Sequence, residues 1–271
     1  MHEIAANKID SFSIFVGTGD CNANCPHCAG RIHRKSAPKR DGIIDERLIT
    51  KTIRTCCERG ARYLSISGSG EPTLSPQSVT KVLEIVHRCK KEGIEFSPIN
   101  LYSNGIRIGK DKPFTEKYLA NWKNLGLTTV YITVHDIDEK RNAEIYGVPN
   151  YPSLKTILSR IHGAGLLVRA NLVLSKNTVD TANKFSLTIN YLKELGVDAV
   201  SAWSVKNADD KIDKKLSPPS TTMDEIEEWV EKNTESKFKI RLLREKIGCA
   251  CQSKKLTLFP DGTLTNTWCN S

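Results

Sequence analysis

Apolar residues recur along this chain in two alternating rhythms. Short runs rich in branched and aromatic residues read as strands: "SFSIFVG" (11–17), "ARYLSISG" (61–68), "INLYSNG" (99–105), "LTTVYITVHD" (127–136), "LLVRANLVLS" (166–175) and "VDAVSAWSVK" (197–206). Between them, apolar residues return every three or four positions, as on one face of a helix. "DERLITKTIRTCCERG" (45–60) carries Leu48, Ile49, Ile53, Cys56 and Cys57 in this way and stops at Gly60. "SPQSVTKVLEIVHRCKKEG" (75–93) opens with Ser75 as a cap and Pro76 in the first turn. Further helices are expected over 113–126, 151–165 and 181–196.

Strands that alternate with helices of this length imply βαβ units and a parallel sheet. Right-handed crossovers curl six such units into a barrel or part of one. The expected class is α/β, a partial (β/α)6 TIM-type barrel over 1–206 with a small C-terminal α+β extension. The rhythm breaks in the charged, Pro-Pro-ended stretch 207–220, read as a linker. The extension, 221–271, would hold a last helix over 221–233 and a β-hairpin turning at "PDG" (260–262).

Composition adds two things. The chain is 271 residues long with 39% hydrophobic residues, which suits a globular protein, and no stretch has the length of a membrane-spanning helix. With no basic-then-apolar leader, a cytoplasmic, non-membrane protein is expected. The net charge is +9, and "RIHRKSAPKR" (31–40) holds five Arg or Lys and no acid. That segment is either a solvated loop or a basic rim for an anionic substrate, a nucleic acid or an acidic electron donor. No aromatic residue interleaves its charges, so the signal for nucleic-acid stacking is weak.

Nine cysteines fall into three groups, 21/25/28, 56/57/89 and 249/251/269. An odd, uneven set in a chain this long is not a disulfide framework. Cys56, Cys57 and Cys89 lie on apolar helical stripes and read as small core residues. "GDCNANCPHCAG" (19–30) is different: three cysteines within eight residues follow the first strand. Structural zinc takes four ligands, usually as two pairs far apart in sequence, and no second pair follows here at finger spacing. A 4Fe–4S cubane offers one iron to each thiolate, so three thiolates leave one iron open for chemistry. A loop after the first barrel strand is also where active sites of such barrels lie.

Cys21, Cys25 and Cys28 in a CxxxCxxC loop directly after a first strand resemble the radical S-adenosylmethionine (radical SAM) enzymes, and the likeness extends over about 11–206. His27 stands where that family usually has an aromatic residue. "SGSGEPTL" (67–74) resembles the family's Gly-Gly-Glu-Pro segment. It implies that Gly68, Ser69, Gly70 and Glu71 hold the methionine amino group of SAM, with Ser69 in place of the usual first glycine. "YSNG" (102–105) resembles the family's Thr-Asn-Gly and brings in Ser103 and Asn104. By the same likeness Thr133 and His135, then Arg169 and Asn171, are candidates for the ribose and carboxylate of SAM. Strand alternation puts Arg169 and Asn171 on one face. Trp203 and Ser204 are weaker candidates near the adenine.

The resemblance implies a 4Fe–4S cluster that cleaves SAM reductively to a 5′-deoxyadenosyl radical. That radical would abstract hydrogen from a peptide or small-metabolite substrate; a nucleoside or tRNA substrate is the alternative. A flavodoxin- or ferredoxin-type reductant is the implied partner. "CACQSKKLTLFPDGTLTNTWC" resembles C-terminal extensions in which Cys249, Cys251 and Cys269 would bind a second 4Fe–4S cluster, three-ligated or with a non-Cys ligand, or form a degenerate site. A different class, a non-catalytic zinc or iron–sulfur binding module, needs neither the barrel rhythm nor Gly-Glu-Pro.

Overall fold

The computed structural model describes residues 8–28, 30, 31, 34, 37–206, 211–233, 235, 238–243 and 255–265. Six strands follow the expected order: β1 (Ser11–Val16), β2 (Tyr63–Gly68), β3 (Ile99–Ser103), β4 (Thr129–Val134), β5 (Leu167–Leu174) and β6 (Ala199–Ser204). All pair in parallel with their sequence neighbours, which requires a crossover between each pair. The crossovers carry α1 (Glu46–Glu58), α2 (Pro76–Lys91), α4 (Lys112–Asn124), α6 (Leu154–Gly163) and α7 (Ala182–Glu194).

Two short helices add to this pattern, α3 (Ile106–Lys110) directly after β3 and α5 (Glu139–Tyr146) after β4. Neither has the length for a clear periodic signal. α3 begins at Gly105, whose φ of 75° lets the chain turn straight out of the strand.

The sheet continues past residue 206. α8 (Ser220–Asn233) leads into β7 (Lys239–Leu243), which lies parallel on β6, while β8 (Lys255–Leu258) lies parallel on β1 at the other edge. β9 (Leu264–Thr265) returns antiparallel on β8 through the Pro260–Gly262 turn, as its sequence predicts. The order is β7-β6-β5-β4-β3-β2-β1-β8-β9, open at both ends, hence a partial barrel. The described strands of 221–271 all belong to this one sheet.

One face of every strand packs on the helices. Phe12, Ile14 and Val16 of β1, Leu64 and Ile66 of β2, and Val130 and Ile132 of β4 meet Ile49, Ile53, Val82 and Leu83 in a continuous core. Cys56 and Cys89 are buried in it and Cys57 packs at its margin, which is their expected place. Burial on this scale stabilises at about 25 cal/mol per Å² of apolar surface. It also sets the register, since a one-residue slip would turn Ser13 and Ser65 into the core.

Ser75 does not cap α2 as expected: its side chain accepts no hydrogen bond from the helix and instead takes the Thr18 N–H at 3.2 Å. The cap comes from Asp41, whose Oδ2 accepts from Gln77 N and Oδ1 from Ser78 N, each at 2.9 Å. A carboxylate brought in by tertiary structure has replaced the local hydroxyl, which is spent on the loop after β1. Among the described residues no helix is long and apolar enough to cross a membrane.

Candidate active site

The loop after β1 carries Cys21, Cys25 and Cys28 at the C-terminal end of the strands, half-buried and in no disulfide. Three anchors shape it. Asn24 N donates to Tyr146 O at the end of α5 (2.7 Å). Asn104 Nδ2, just past β3, donates to Asn22 Oδ1 (2.7 Å) and lies 3.9 Å from Cys21 Sγ. Arg31 turns back on the loop and donates from Nη2 to Cys25 O (2.8 Å) and Asn24 Oδ1 (3.0 Å). The first residue of the basic segment thus serves the cysteine loop rather than only solvent.

The segment 68–71 lies against this loop. Glu71 N donates to Asp20 O at 2.8 Å. A Cβ on Gly70 would stand 2.0 Å from Asp20 O and 2.5 Å from Gly19 O, and one on Gly68 3.0 Å from Val16 O. These glycines serve close backbone approach rather than a left-handed conformation, since neither has positive φ. Ser69 is fully buried, and its Oγ has no partner among the described residues.

Glu71 is buried and ties three elements together. Its Oε1 accepts from Thr73 N (3.0 Å), Thr73 Oγ1 (2.8 Å) and Ser103 Oγ (2.8 Å), and its Oε2 from Asn104 N (2.8 Å). Oε2 keeps a second lone pair. Burial still pushes the carboxyl above its ordinary range, because four donors offset only part of the desolvation. Among the described residues no Lys, Arg or His forms an ion pair with it.

The end of β4 brings in Thr133 and His135. Tyr146 OH donates to Thr133 O at 2.8 Å, and Asn142 Oδ1 accepts from His135 N and Asp136 N at 3.2 Å each. The His135 ring meets His27 edge-on at 5.0 Å and Tyr146 at 4.8 Å, and Tyr146 stacks on Tyr151, whose OH donates to Asn104 O at 2.9 Å. Both ring nitrogens of His135 and the Nε2 of His27 are buried without a partner among the described residues. Burial, helped by His27, pushes His135 down to about 3, and burial lowers His27 too. Both rings are therefore neutral near pH 7.

On β5, Arg169 and Asn171 share a face as predicted. Arg169 Nη1 donates to Tyr131 OH (3.1 Å), and Trp203 Nε1 donates to Asn171 Oδ1 (2.9 Å). Ser204 leaves the candidate set: alternation turns it to the opposite face from Trp203, where its Oγ contacts Met223 Sδ of α8 at 3.5 Å. The structure therefore gathers the cysteine loop, 68–71, Ser103, Asn104, Thr133 and His135, with Arg169 and Asn171 on neighbouring β5. Cys249, Cys251 and Cys269 lie outside the described residues. Sequence reasoning missed Asn22, Tyr146, Tyr151 and Asn142. Asn22 and Asn142 had only their polarity to mark them; Tyr146 meets Asn24 of the loop from more than a hundred residues away, and Tyr151 meets Asn104.

The donor chemistry suits an iron–sulfur cluster. Burial raises Cys21, and burial with the neighbouring thiols pushes Cys25 up to about 12, so iron must displace protons there. Among the described residues no three His, Cys, Asp or Glu converge on a single ion-sized point. A cluster that offers one iron to each thiolate does not need them to meet at one point. Ser69 Oγ, His27 and His135 leave unpaired polar atoms beside the loop for a polar cofactor to meet.

Known proteins agree with this geometry. The model of the family described as "Radical SAM superfamily" matches residues 15–180. The chain is 28% identical over 164 residues to a GTP 3′,8-cyclase of Haemophilus influenzae (strain PittEE), covering 60% of this chain and 44% of that protein. It is 26% identical over 198 residues to a probable GTP 3′,8-cyclase of Methanococcus maripaludis (strain C7), covering 72% and 59%. It spans about half the length of the curated relatives it matches. In fold it resembles Streptococcus suis SuiB bound to S-adenosylmethionine, with a TM-score of 0.64 at 16% identity over 97% of this chain and 58% of that one. It also resembles anSMEcpe with bound AdoMet, with a TM-score of 0.60 at 14% identity over 95% and 74%. With the family matched over more than half its length, this chain belongs to the radical SAM superfamily, enzymes whose cofactors are a 4Fe–4S cluster and S-adenosylmethionine.

Proposed function

We propose that this chain removes a hydrogen atom from a peptide or small metabolite held at the mouth of the barrel. A bound cluster with SAM supplies one-electron cleavage of SAM and, through it, hydrogen-atom abstraction; a flavodoxin- or ferredoxin-type protein supplies the electron. The observation that carries the reading is the contact of Gly70 with Asp20, which brings the three-cysteine loop against Glu71.

The chain's own groups have distinct parts. Cys21, Cys25 and Cys28 bind three irons. Glu71 offers the free lone pair of Oε2 to the SAM ammonium. That cation supplies the opposite charge which the buried carboxyl lacks among the described residues. Ser103 and Asn104 hold Glu71 in place. His135 and His27, neutral by burial, line the site as flat polar rings. Thr133, Arg169 and Asn171 provide the polar rim for the ribose and carboxylate. The names of the curated relatives favour a second reading, a nucleotide substrate.

The test is 5′-deoxyadenosine formation by anaerobically reconstituted protein with dithionite and SAM. Wild type is expected to form it and Cys25→Ala to lose it while the barrel stays folded by circular dichroism. Equal formation by the variant overturns the assignment.

A further inference from the structure

The pairing register decides which side chains face the barrel interior. In β5, Val168, Ala170 and Leu172 lie in the helix-side core, so Arg169 and Asn171 face inward. In β7, Ile240 and Leu242 pack on the core, so Lys239 and Arg241 face inward beside Ala199 and Ser201. At the opposite edge Leu256 and Leu258 are core residues, so Lys255 and Thr257 face inward beside Ser11 and Ser13. The interior face thus carries four cations. No strand among the described residues contains an Asp or Glu.

Barrels of this general type ordinarily fill their interior with branched apolar side chains. This one also leaves polar atoms unpaired there. Ser13 Oγ and Thr257 Oγ1, on fully buried residues opposite each other in register, have no partner among the described residues, and neither have Asn100 Oδ1 and Arg169 Nε. Among the described residues, no hydrogen bond or ion pair engages Lys239 or Arg241. Four inter-strand spacings separate β7 from β3, about 19 Å on a flat sheet. Yet Arg241, like Arg169, opposes the upward push that burial gives the Tyr102 hydroxyl. On the same inner face the Tyr102 and Tyr131 rings stack, with centroids 4.6 Å apart.

We infer that the substrate of this enzyme is an anion, a phosphate or a carboxylate, and that Arg241 and Lys239, solvent-exposed on the inward side of the edge strand β7, take its acidic group. Cations gathered on one face concentrate such a ligand. The inference rests on the reading of the barrel interior as the substrate's place. 5′-Deoxyadenosine formation by wild type in the same preparation tests that reading separately.

The experiment is isothermal titration of reconstituted, SAM-loaded protein with inorganic pyrophosphate, citrate and neutral guanosine. At least one anion is expected to bind more tightly than guanosine, with affinity that falls as salt is added. Tighter pyrophosphate assigns a phosphate substrate, and tighter citrate a carboxylate. The double variant Arg241→Gln/Lys239→Gln is expected to weaken that anion about tenfold or more. Arg40→Gln, which removes an exposed cation outside the strands, is expected to change nothing. Binding of neither anion overturns the proposal, as does guanosine binding equal to both. Wild-type affinity in the double variant, or equal weakening by Arg40→Gln, overturns it too. A circular dichroism melt shows that the double variant is folded.

Discussion

Gly70 and Asp20 touch backbone to backbone: a methyl group on Gly70 would lie 2.0 Å from the Asp20 carbonyl oxygen. The obstacle is main chain on both sides, so no rotamer change relieves it. Gly70→Ala is therefore expected to part the Glu71 segment from the cysteine loop, at a cost of about 1–3 kcal/mol or more. The loss should appear as a lower melting temperature and as poorer iron retention under chelator. A variant with wild-type iron content and melting point would refute the contact.

His135 makes the fold sensitive to acid. Its ring titrates at its ordinary 6.5 in the unfolded chain and only near 3 in the folded one. Between those values the unfolded chain binds more protons, so stability falls as pH drops below about 6.5 and levels off above it. The slope from this one group is at most about 1.4 kcal/mol per pH unit. His135→Phe, which keeps a flat ring and cannot be protonated, should have a shallower dependence in urea melts between pH 7.5 and 5.5. An unchanged slope would mean that the ring is solvated.

The remote cap of α2 is open to a direct comparison. Asp41→Ala removes the acceptor for Gln77 N and Ser78 N and should cost about 1–2 kcal/mol. Ser75→Ala removes only the bond from Thr18 N and should cost about 0.5–1.5 kcal/mol, without exposing the helix start. Urea midpoints give the ranking, and a larger loss for Ser75→Ala would restore the local cap.

The βα rhythm was legible because each strand buries one whole face on helices: Val130 and Ile132 alternate with Tyr131 and Thr133 as period-two pairing demands. The cysteine loop was legible because its ligands are contiguous. Asn142 was not, since its carboxamide meets the His135 and Asp136 N–H groups only after α5 folds back on the end of β4. Tyr146 and Tyr151 read as ordinary aromatic residues until the barrel sets them between His135 and Asn104. The cap on α2 misled for the same reason: Ser75 is a good local acceptor, but Asp41 arrives from another loop with a stronger one.

By itself the amino-acid order determined what neighbours along the chain can do: helical and extended segments, the run of three thiolates, and the glycines that permit close approach. Tertiary structure decided what depends on groups distant in sequence. It seated Glu71 beneath Ser103 and Asn104, tied Arg31 to the cysteine loop, and turned Ser204 toward α8. It also joined β7 and β8 to opposite edges of one sheet, so that the interior became cationic. The division follows from the physics: propensity and spacing act over a few residues, whereas desolvation, register and charge accumulate only when strands far apart in the chain share one interior.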